Sequence, residues 1–129
     1  MNEYELEYIK YRFEKNDQAF KDALNLYELE SYNASINRLH YACFYAVSAI
    51  ALTVKDNTLT HSGIKYIFNN HFVKTNKISA EEGKFYSNLM NLRQKGDYGD
   101  LYDFTKDDVQ KLFEPSKIFI TSIKSLVHA

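Results

Sequence analysis

The segment Arg93-Gln94-Lys95-Gly96-Asp97-Tyr98-Gly99-Asp100-Leu101-Tyr102-Asp103-Phe104 holds two of the chain's four glycines, three carboxylates and three aromatic residues. Arg93 is its side chain best suited to a phosphate, because a guanidinium presents a planar fork of donors that two phosphate oxygens can meet together. A plainer use is open to it: a cation in the last turn of a helix is favoured by about 0.3–1 kcal/mol through the helix dipole, and Asp97, one turn on, is an available ion-pair partner. Arg38 poses the same choice. It lies in an apolar stretch with Tyr41, Ala42 and Tyr45 at helical neighbour spacing. A charge there needs a carboxylate, such as Asp97 or Asp100, or an anionic ligand in a cavity. His61, just ahead of Ser62-Gly63, falls at the expected start of a helix. Unpaired N–H groups at such a start favour anions, and a capped, solvent-facing imidazole is the alternative.

Other chemistries find no residues to carry them. His40, His61, His71 and His128 do not stand one helical turn from acidic partners, so no metal and no cofactor is expected. The glycines at 63, 83, 96 and 99 form no phosphate-cradling loop. Cys43 is the single cysteine and has Ala42, Phe44 and Tyr45 beside it, with no base among them. It reads as buried filler, and a lone cysteine fits a reducing compartment. The N-terminus lacks a basic-then-apolar leader pattern. The longest apolar run, Tyr41 to Leu52, is interrupted by Ser48 and spans 12 residues, whereas a membrane-crossing helix needs about 20. A cytoplasmic protein without a membrane partner is expected.

These side chains need elements to position them, and helix is the only period that runs well. Tyr4, Tyr8, Tyr11, Lys15, Ala19, Ala23, Leu26 and Tyr27 recur at three- and four-residue steps, which predicts one long helix over residues 3–30. Ser31-Tyr32-Asn33 punctuates the chain. Ile36, Leu39, Cys43, Val47 and Ile50 then mark one apolar stripe and Tyr41, Tyr45 and Ala49 a second, the pattern of a central helix. A polar connection over residues 55–60 leads to a shorter helix with Ile64, Ile67, Phe68 and Phe72, and Lys74-Thr75-Asn76-Lys77 makes a further turn. Ser79 with Glu82 is a capping box that opens a helix expected to stop near Lys95, ahead of Gly96 and Gly99. Thr105 with Asp108 is a second box, opening a last helix that carries Pro115 inside it; a kink rather than a stop is expected there. The prediction is all-α: one domain over residues 1–129, an up-and-down antiparallel bundle of four long helices and one short one.

Composition adds a charge split. The net charge is −1, but residues 1–30 carry −4 and residues 31–80 carry +4. Such a split can present a basic face to phosphates or hold a bundle or dimer together. Eleven Tyr and nine Phe, with no Trp, suit surfaces that are half apolar and half wet.

The order Asn33-Ala34-Ser35-Ile36-Asn37-Arg38-Leu39-His40-Tyr41-Ala42-Cys43-Phe44-Tyr45-Ala46, Thr60-His61-Ser62-Gly63, Phe72-Val73-Lys74-Thr75 and Leu92-Arg93-Gln94-Lys95-Gly96-Asp97-Tyr98-Gly99-Asp100 resembles the HEPN domain superfamily, in its uncharacterised bacterial branch. The likeness extends over residues 3–127. It implies a five-helix bundle that forms a homodimer and partners a small nucleotidyltransferase in a toxin–antitoxin pair. Active members of that superfamily are metal-independent RNases, whose motif is an Arg followed four to six residues later by a His, supplied by both subunits at their interface. Arg93 matches the motif arginine, and Tyr98 stands where the His is expected. A phenol, with an ordinary pKa near 10, is a poor base at neutrality compared with an imidazole.

The resemblance therefore implies a dimeric module that binds a nucleotide or RNA, or a nucleotidyltransferase partner, through Arg93, Asp97, Tyr98 and Arg38, with His61, Asp100 and Tyr102 as further ligand contacts. The alternatives are a toxin-like metal-independent endoribonuclease, using Arg93 with Asp97 or Tyr98 in place of the His, and a non-catalytic structural partner. In a nucleotidyltransferase pair the hydroxyls of Tyr98 and Tyr102, both expected in a loop, are acceptors for a transferred nucleotide.

Overall fold

The computed structural model describes residues 3–54, 60–99 and 101–128. The predicted connection at 55–60 lies outside them except for Thr60, and so does Asp100. Five helices follow one another: α1 (Glu3–Glu28), α2 (Tyr32–Ala51), α3 (His61–Phe68), α4 (Ala80–Tyr98) and α5 (Lys106–His128). The fold is an all-α bundle with four long helices and one short one, as the periodicity predicts.

Helix α2 is central because it is apolar nearly all round. Ile36, Leu39, Ala42, Cys43, Ala46, Val47, Ala49 and Ile50 are all essentially inaccessible. Its alanines meet Ala19 and Ala23 of α1 in the core, and small side chains let two helix backbones approach closely. At that close approach two side-chain donors bond backbone carbonyls of the facing helix. Ser35 Oγ donates to the Ala23 carbonyl at 2.7 Å, and Asn16 Nδ2 donates to the Ala42 carbonyl at 2.8 Å. Helix α1 ends without a glycine. Glu30 takes the left-handed conformation at φ 62°, so that the Ser31 N–H reaches the Leu26 carbonyl at 2.9 Å and the Glu30 N–H the Tyr27 carbonyl at 3.0 Å. This is the closing pattern a glycine usually fills.

The Thr105 capping box forms in full, and at Ser79 only the serine's half of the box does. Thr105 Oγ1 accepts the Asp108 N–H at 3.2 Å, and Asp108 Oδ2 accepts the Thr105 N–H at 2.9 Å, which holds the Asp108 carboxyl below its ordinary range. Ser79 Oγ accepts the Glu82 N–H at 3.0 Å, but its hydroxyl donates to Glu82 Oε1 at 3.1 Å, so the glutamate closes on the serine side chain rather than on its backbone. Helix α5 continues through Pro115. After α3 the chain widens into a π-helical turn at Asn69–Val73, which brings Phe72 into the core. Among the described residues no helix is long and apolar enough to cross a membrane.

One boundary differs from the sequence expectation, and it matters for the site. Helix α4 does not stop near Lys95; it runs through Gly96 to Tyr98 and ends at Gly99, whose N–H still reaches the Lys95 carbonyl at 2.9 Å. A glycine inside a helix costs about 1 kcal/mol relative to alanine, and here tertiary contacts outweigh that. Asn33 Nδ2 donates to the Gly96 carbonyl at 3.3 Å, and the Phe104 ring packs so closely that a Cβ on residue 96 would lie 2.9 Å from its Cε2. Tyr98 therefore belongs to a helical turn and not to a loop. The Gly96→Ala variant is expected to lose about 1–2 kcal/mol of stability, because displacing the buried Phe104 ring outweighs the gain in helix propensity. Chemical denaturation of the two proteins checks this; a more stable variant would mean that the ring yields freely.

Candidate functional site

The first turns of α2 and the last turns of α4 lie side by side, and the candidate site is built where they meet. Within α4, Arg93 and Asp97 are one turn apart on the same face, and Arg93 Nη1 donates to Asp97 Oδ2 at 3.1 Å. Because α4 continues past Lys95, that spacing is helical and the pair forms. The same Asp97 oxygen accepts Asn37 Nδ2 from α2 at 3.0 Å, while Asn37 Oδ1 accepts Arg38 Nε at 3.2 Å. A polar chain thus runs Arg93, Asp97, Asn37, Arg38 across the two helices. Asp97 is engaged as the anchor of this chain, with two donors on one oxygen.

Tyr41, one turn beyond Asn37 and Arg38, supplies the surface between the two arginines. The Arg38 guanidinium carbon lies 4.9 Å from its ring centroid and that of Arg93 lies 5.5 Å away. Each cation is attracted by the ring quadrupole, an effect of about 0.5–2 kcal/mol depending on solvent access. Two guanidiniums are held about one phenol ring, and among the described residues a single carboxylate, Asp97, neutralises them. Arg93 is largely shielded, its side chain 12% exposed, and its Nε is buried without a hydrogen-bond partner. Arg38 has no ion pair among the described residues, so of its two sequence-based options the salt bridge to Asp97 is not the one taken; Asp97 is paired with Arg93 instead.

Behind Tyr41 lies His40, 3% exposed. Its ring meets Tyr41 edge-on at 5.1 Å and stacks on Tyr86 at 5.9 Å and 12°. Both ring nitrogens lack a partner. Burial, then the charge of Arg93, then His61 and Arg38, push its pKa down to about 3, so this imidazole is neutral throughout the physiological range. Burial also raises the Tyr86 hydroxyl above its ordinary value.

His61 opens α3 and is exposed, with its ring stacked on Phe44 at 4.7 Å and 14°. Thr60 performs the capping there: its Oγ1 accepts the Gly63 N–H at 3.0 Å. Phe44 in turn meets the Tyr41 ring at 6.0 Å. The fold therefore gathers Arg38, Arg93, Asp97 and, through Tyr41 and Phe44, His61 on one aromatic-backed face. It does not gather the two tyrosine hydroxyls with them. Tyr98 projects from the last turn of α4 at 79% exposure and makes no hydrogen bond among the described residues. Tyr102 packs edge-on against Phe104 at 4.9 Å and under the Lys95 ammonium at 5.9 Å, with its carbonyl held by Asn33 Nδ2 at 2.8 Å. Cys43 is fully buried and its thiol is pushed up to about 12, which removes it as a nucleophile.

Asn37, Tyr41 and His40 belong to this face although sequence reasoning did not name them as site residues. For two of them a signal exists: Tyr41 follows Asn37 by four residues and Arg38 by three, which puts all three on one side of α2. His40 carries no such signal, since a histidine beside a tyrosine reads the same in the core and at the surface.

The family model for the HEPN domain matches residues 9–126. A UPF0332 protein of Thermotoga maritima is 36% identical over 127 residues, covering 98% of this chain and 96% of its own. A protein of Methanocaldococcus jannaschii named as a candidate toxin is 32% identical over 111 residues, covering 86% of this chain and 76% of its own. A UPF0332 protein of Archaeoglobus fulgidus is 25% identical over 120 residues, covering 93% and 95% of the two chains.

Proposed function

The chain belongs to the HEPN domain family, and from that premise we propose that it is a dimeric module that binds RNA or a nucleotide through the Arg38–Tyr41–Arg93 face, beside a nucleotidyltransferase partner in a toxin–antitoxin-like pair. Two similar proteins named as candidate toxins support the setting. The observation that carries the ligand class is the pair of guanidiniums about Tyr41, of which only Arg93 has an ion pair among the described residues. Like charges kept together in a shielded place are relieved by an anion, and a phosphate supplies that charge.

Binding is favoured over cleavage by the state of the groups near Arg93. Asp97 already accepts from Arg93 and Asn37, and Tyr98 stands exposed with no hydrogen bond to a base that would activate it. Cleavage of RNA without a metal requires a group that takes the 2′-hydroxyl proton, and neither residue is arranged for that task. A metal-independent endoribonuclease is the second reading, favoured by the toxin names of the relatives and by the capacity of Arg93 to stabilise charge on a phosphate in the transition state.

The test is titration of the purified protein into end-labelled single-stranded RNA and a labelled mononucleotide, at low and moderate salt, with EDTA present throughout. Saturable binding that weakens as salt rises is expected, with the RNA left intact and the protein running as a dimer in light scattering. Absence of binding to either probe at low salt removes this reading. Metal-free cleavage of the RNA would install the second one.

A further inference from the structure

The arginine pair accounts for a phosphate but not for the aromatic surface next to it. We propose that the His61–Phe44 stack is a platform for a nucleobase, so that this face takes a nucleoside phosphate or the nucleotides of single-stranded RNA in preference to a phosphate alone. The proposal rests on the phosphate-binding reading of Arg38 and Arg93 and assigns the other half of the ligand.

The platform is built rather than incidental. His61 is exposed, yet its ring lies 4.7 Å from the Phe44 ring at only 14° from parallel, so one flat side of the imidazole is backed and its plane is set. The backing ring is itself held. Phe44 is 8% exposed and meets Tyr41 at 6.0 Å and 82°, Tyr45 at 5.9 Å and 60°, and His40 at 6.4 Å and 27°. The backbone of His61 is fixed as well, because Thr60 caps the first turn of α3. A planar side chain set in this way and open to solvent is the element on which unpaired bases stack in single-strand recognition.

Position relative to charge is the second argument. Tyr41 carries both guanidiniums near its ring and meets Phe44 edge-on, so the cations and the platform border one cluster of rings. His40, wedged against both Tyr41 and Phe44, lies within electrostatic reach of Arg93, His61 and Arg38, which places all three side chains around the same core. Its two ring nitrogens are shut off from water without a partner, an unmet polar demand directly behind this face. Among the described residues no carboxylate pairs with His61. The surface is therefore cationic on one side and aromatic on the other, the two features a nucleotide presents in complement: a phosphate and a base.

The experiment compares ribose 5-phosphate, adenosine 5′-monophosphate and a five-residue oligoadenylate by calorimetry on the whole chain, for the natural protein and the His61→Ala, His61→Phe and Arg38→Ala variants. The expected result is that His61→Ala weakens the mononucleotide and the oligomer about 10-fold while leaving ribose 5-phosphate unchanged. His61→Phe, which keeps a flat ring, should retain most of the affinity, and Arg38→Ala should weaken all three ligands. Because His61 is exposed, the thermal midpoint of His61→Ala should match the natural protein. Comparable affinity for the mononucleotide and the oligomer would identify a free nucleotide as the ligand, and a large preference for the oligomer would identify RNA; either is consistent with the platform. An equal loss for ribose 5-phosphate and the mononucleotide would make His61 a phosphate contact and overturn the proposal. So would undiminished nucleotide binding by His61→Ala. If the natural protein binds none of the three, the arginine reading fails first and the platform with it.

Discussion

Arg93→Ala is expected to weaken binding of RNA or nucleotide by about 10- to 100-fold while the protein stays folded. A hydrogen bond to a charged group contributes about 1.5–3 kcal/mol, and of the Arg93 guanidinium donors one is engaged, on Asp97. The slope of log affinity against log salt should also fall by about one, the signature of a lost phosphate contact. Stability should fall by no more than about 1–2 kcal/mol, mostly from the lost contact with the Tyr41 ring. The Arg93–Asp97 contact is an i,i+4 pair open to solvent on the aspartate side, a kind worth about 0.3–0.5 kcal/mol. Arg93→Lys separates charge from shape: it keeps the cation and loses the fork, so an intermediate affinity is expected. The measurements are an anisotropy titration and a denaturant curve on each variant. Unchanged affinity together with a loss of several kcal/mol of stability would make Arg93 a lock between α2 and α4, and the non-catalytic structural reading would replace the binding one.

The second large effect is on stability under acid, and His40 sets it. In the folded chain its pKa is pushed down to about 3 from an ordinary 6.5. Above pH 6.5 the ring is neutral both folded and unfolded, so it adds no pH dependence. Between 6.5 and 3 the unfolded chain takes up a proton that the folded chain refuses, and stability falls as pH falls, by about 1.4 kcal/mol per unit. From pH 7 to pH 5 the loss from this residue is about 2 kcal/mol. The groups facing it, Arg93, Arg38 and His61, are cationic or can become so, and each deepens the penalty. His40→Leu removes both the titration and the two unpartnered nitrogens. Its stability at pH 7 should lie within about 1 kcal/mol of the natural protein, and its difference between pH 7 and pH 5 should be smaller by about 2 kcal/mol. Urea unfolding at the two pH values reads this directly. Identical pH dependence in the two proteins would mean that His40 gains a partner or water in solution.

Local signals in the sequence were sufficient wherever the interaction itself is local. The helix caps at Ser79 and Thr105 require only residues three apart, and both serve as caps. The apolar stripes of α2 were enough to make it the central helix, because a helix apolar on several faces has nowhere else to go. The Arg93–Asp97 pair was visible as a one-turn spacing. The boundary of α4 was not. Glycine's weak helix propensity argued for an end near Lys95, and it lost to Asn33 and Phe104, which come from 63 residues before and eight residues after Gly96. A preference of about 1 kcal/mol per residue yields to tertiary contacts of similar size whenever two of them coincide.

Periodicity and partners within one turn were enough for the all-helical bundle and the helix starts, whereas Arg93 lies more than a turn before the end of α4, because the helix runs on to Tyr98. How Arg38 is partnered depended instead on the packing of the helices. Asn37 and Asp97 are 60 residues apart, and their 3.0 Å contact, which commits Asp97 to anchoring Arg93 and leaves Arg38 without an ion pair among the described residues, exists only because α2 packs on α4. Packing against α4 turned His40 into a buried, unprotonated ring, and packing of α3 on α2 set His61 flat against Phe44. Burial and ring stacking are properties of neighbours that meet in space, and a linear pattern specifies them only once the helices have found their partners.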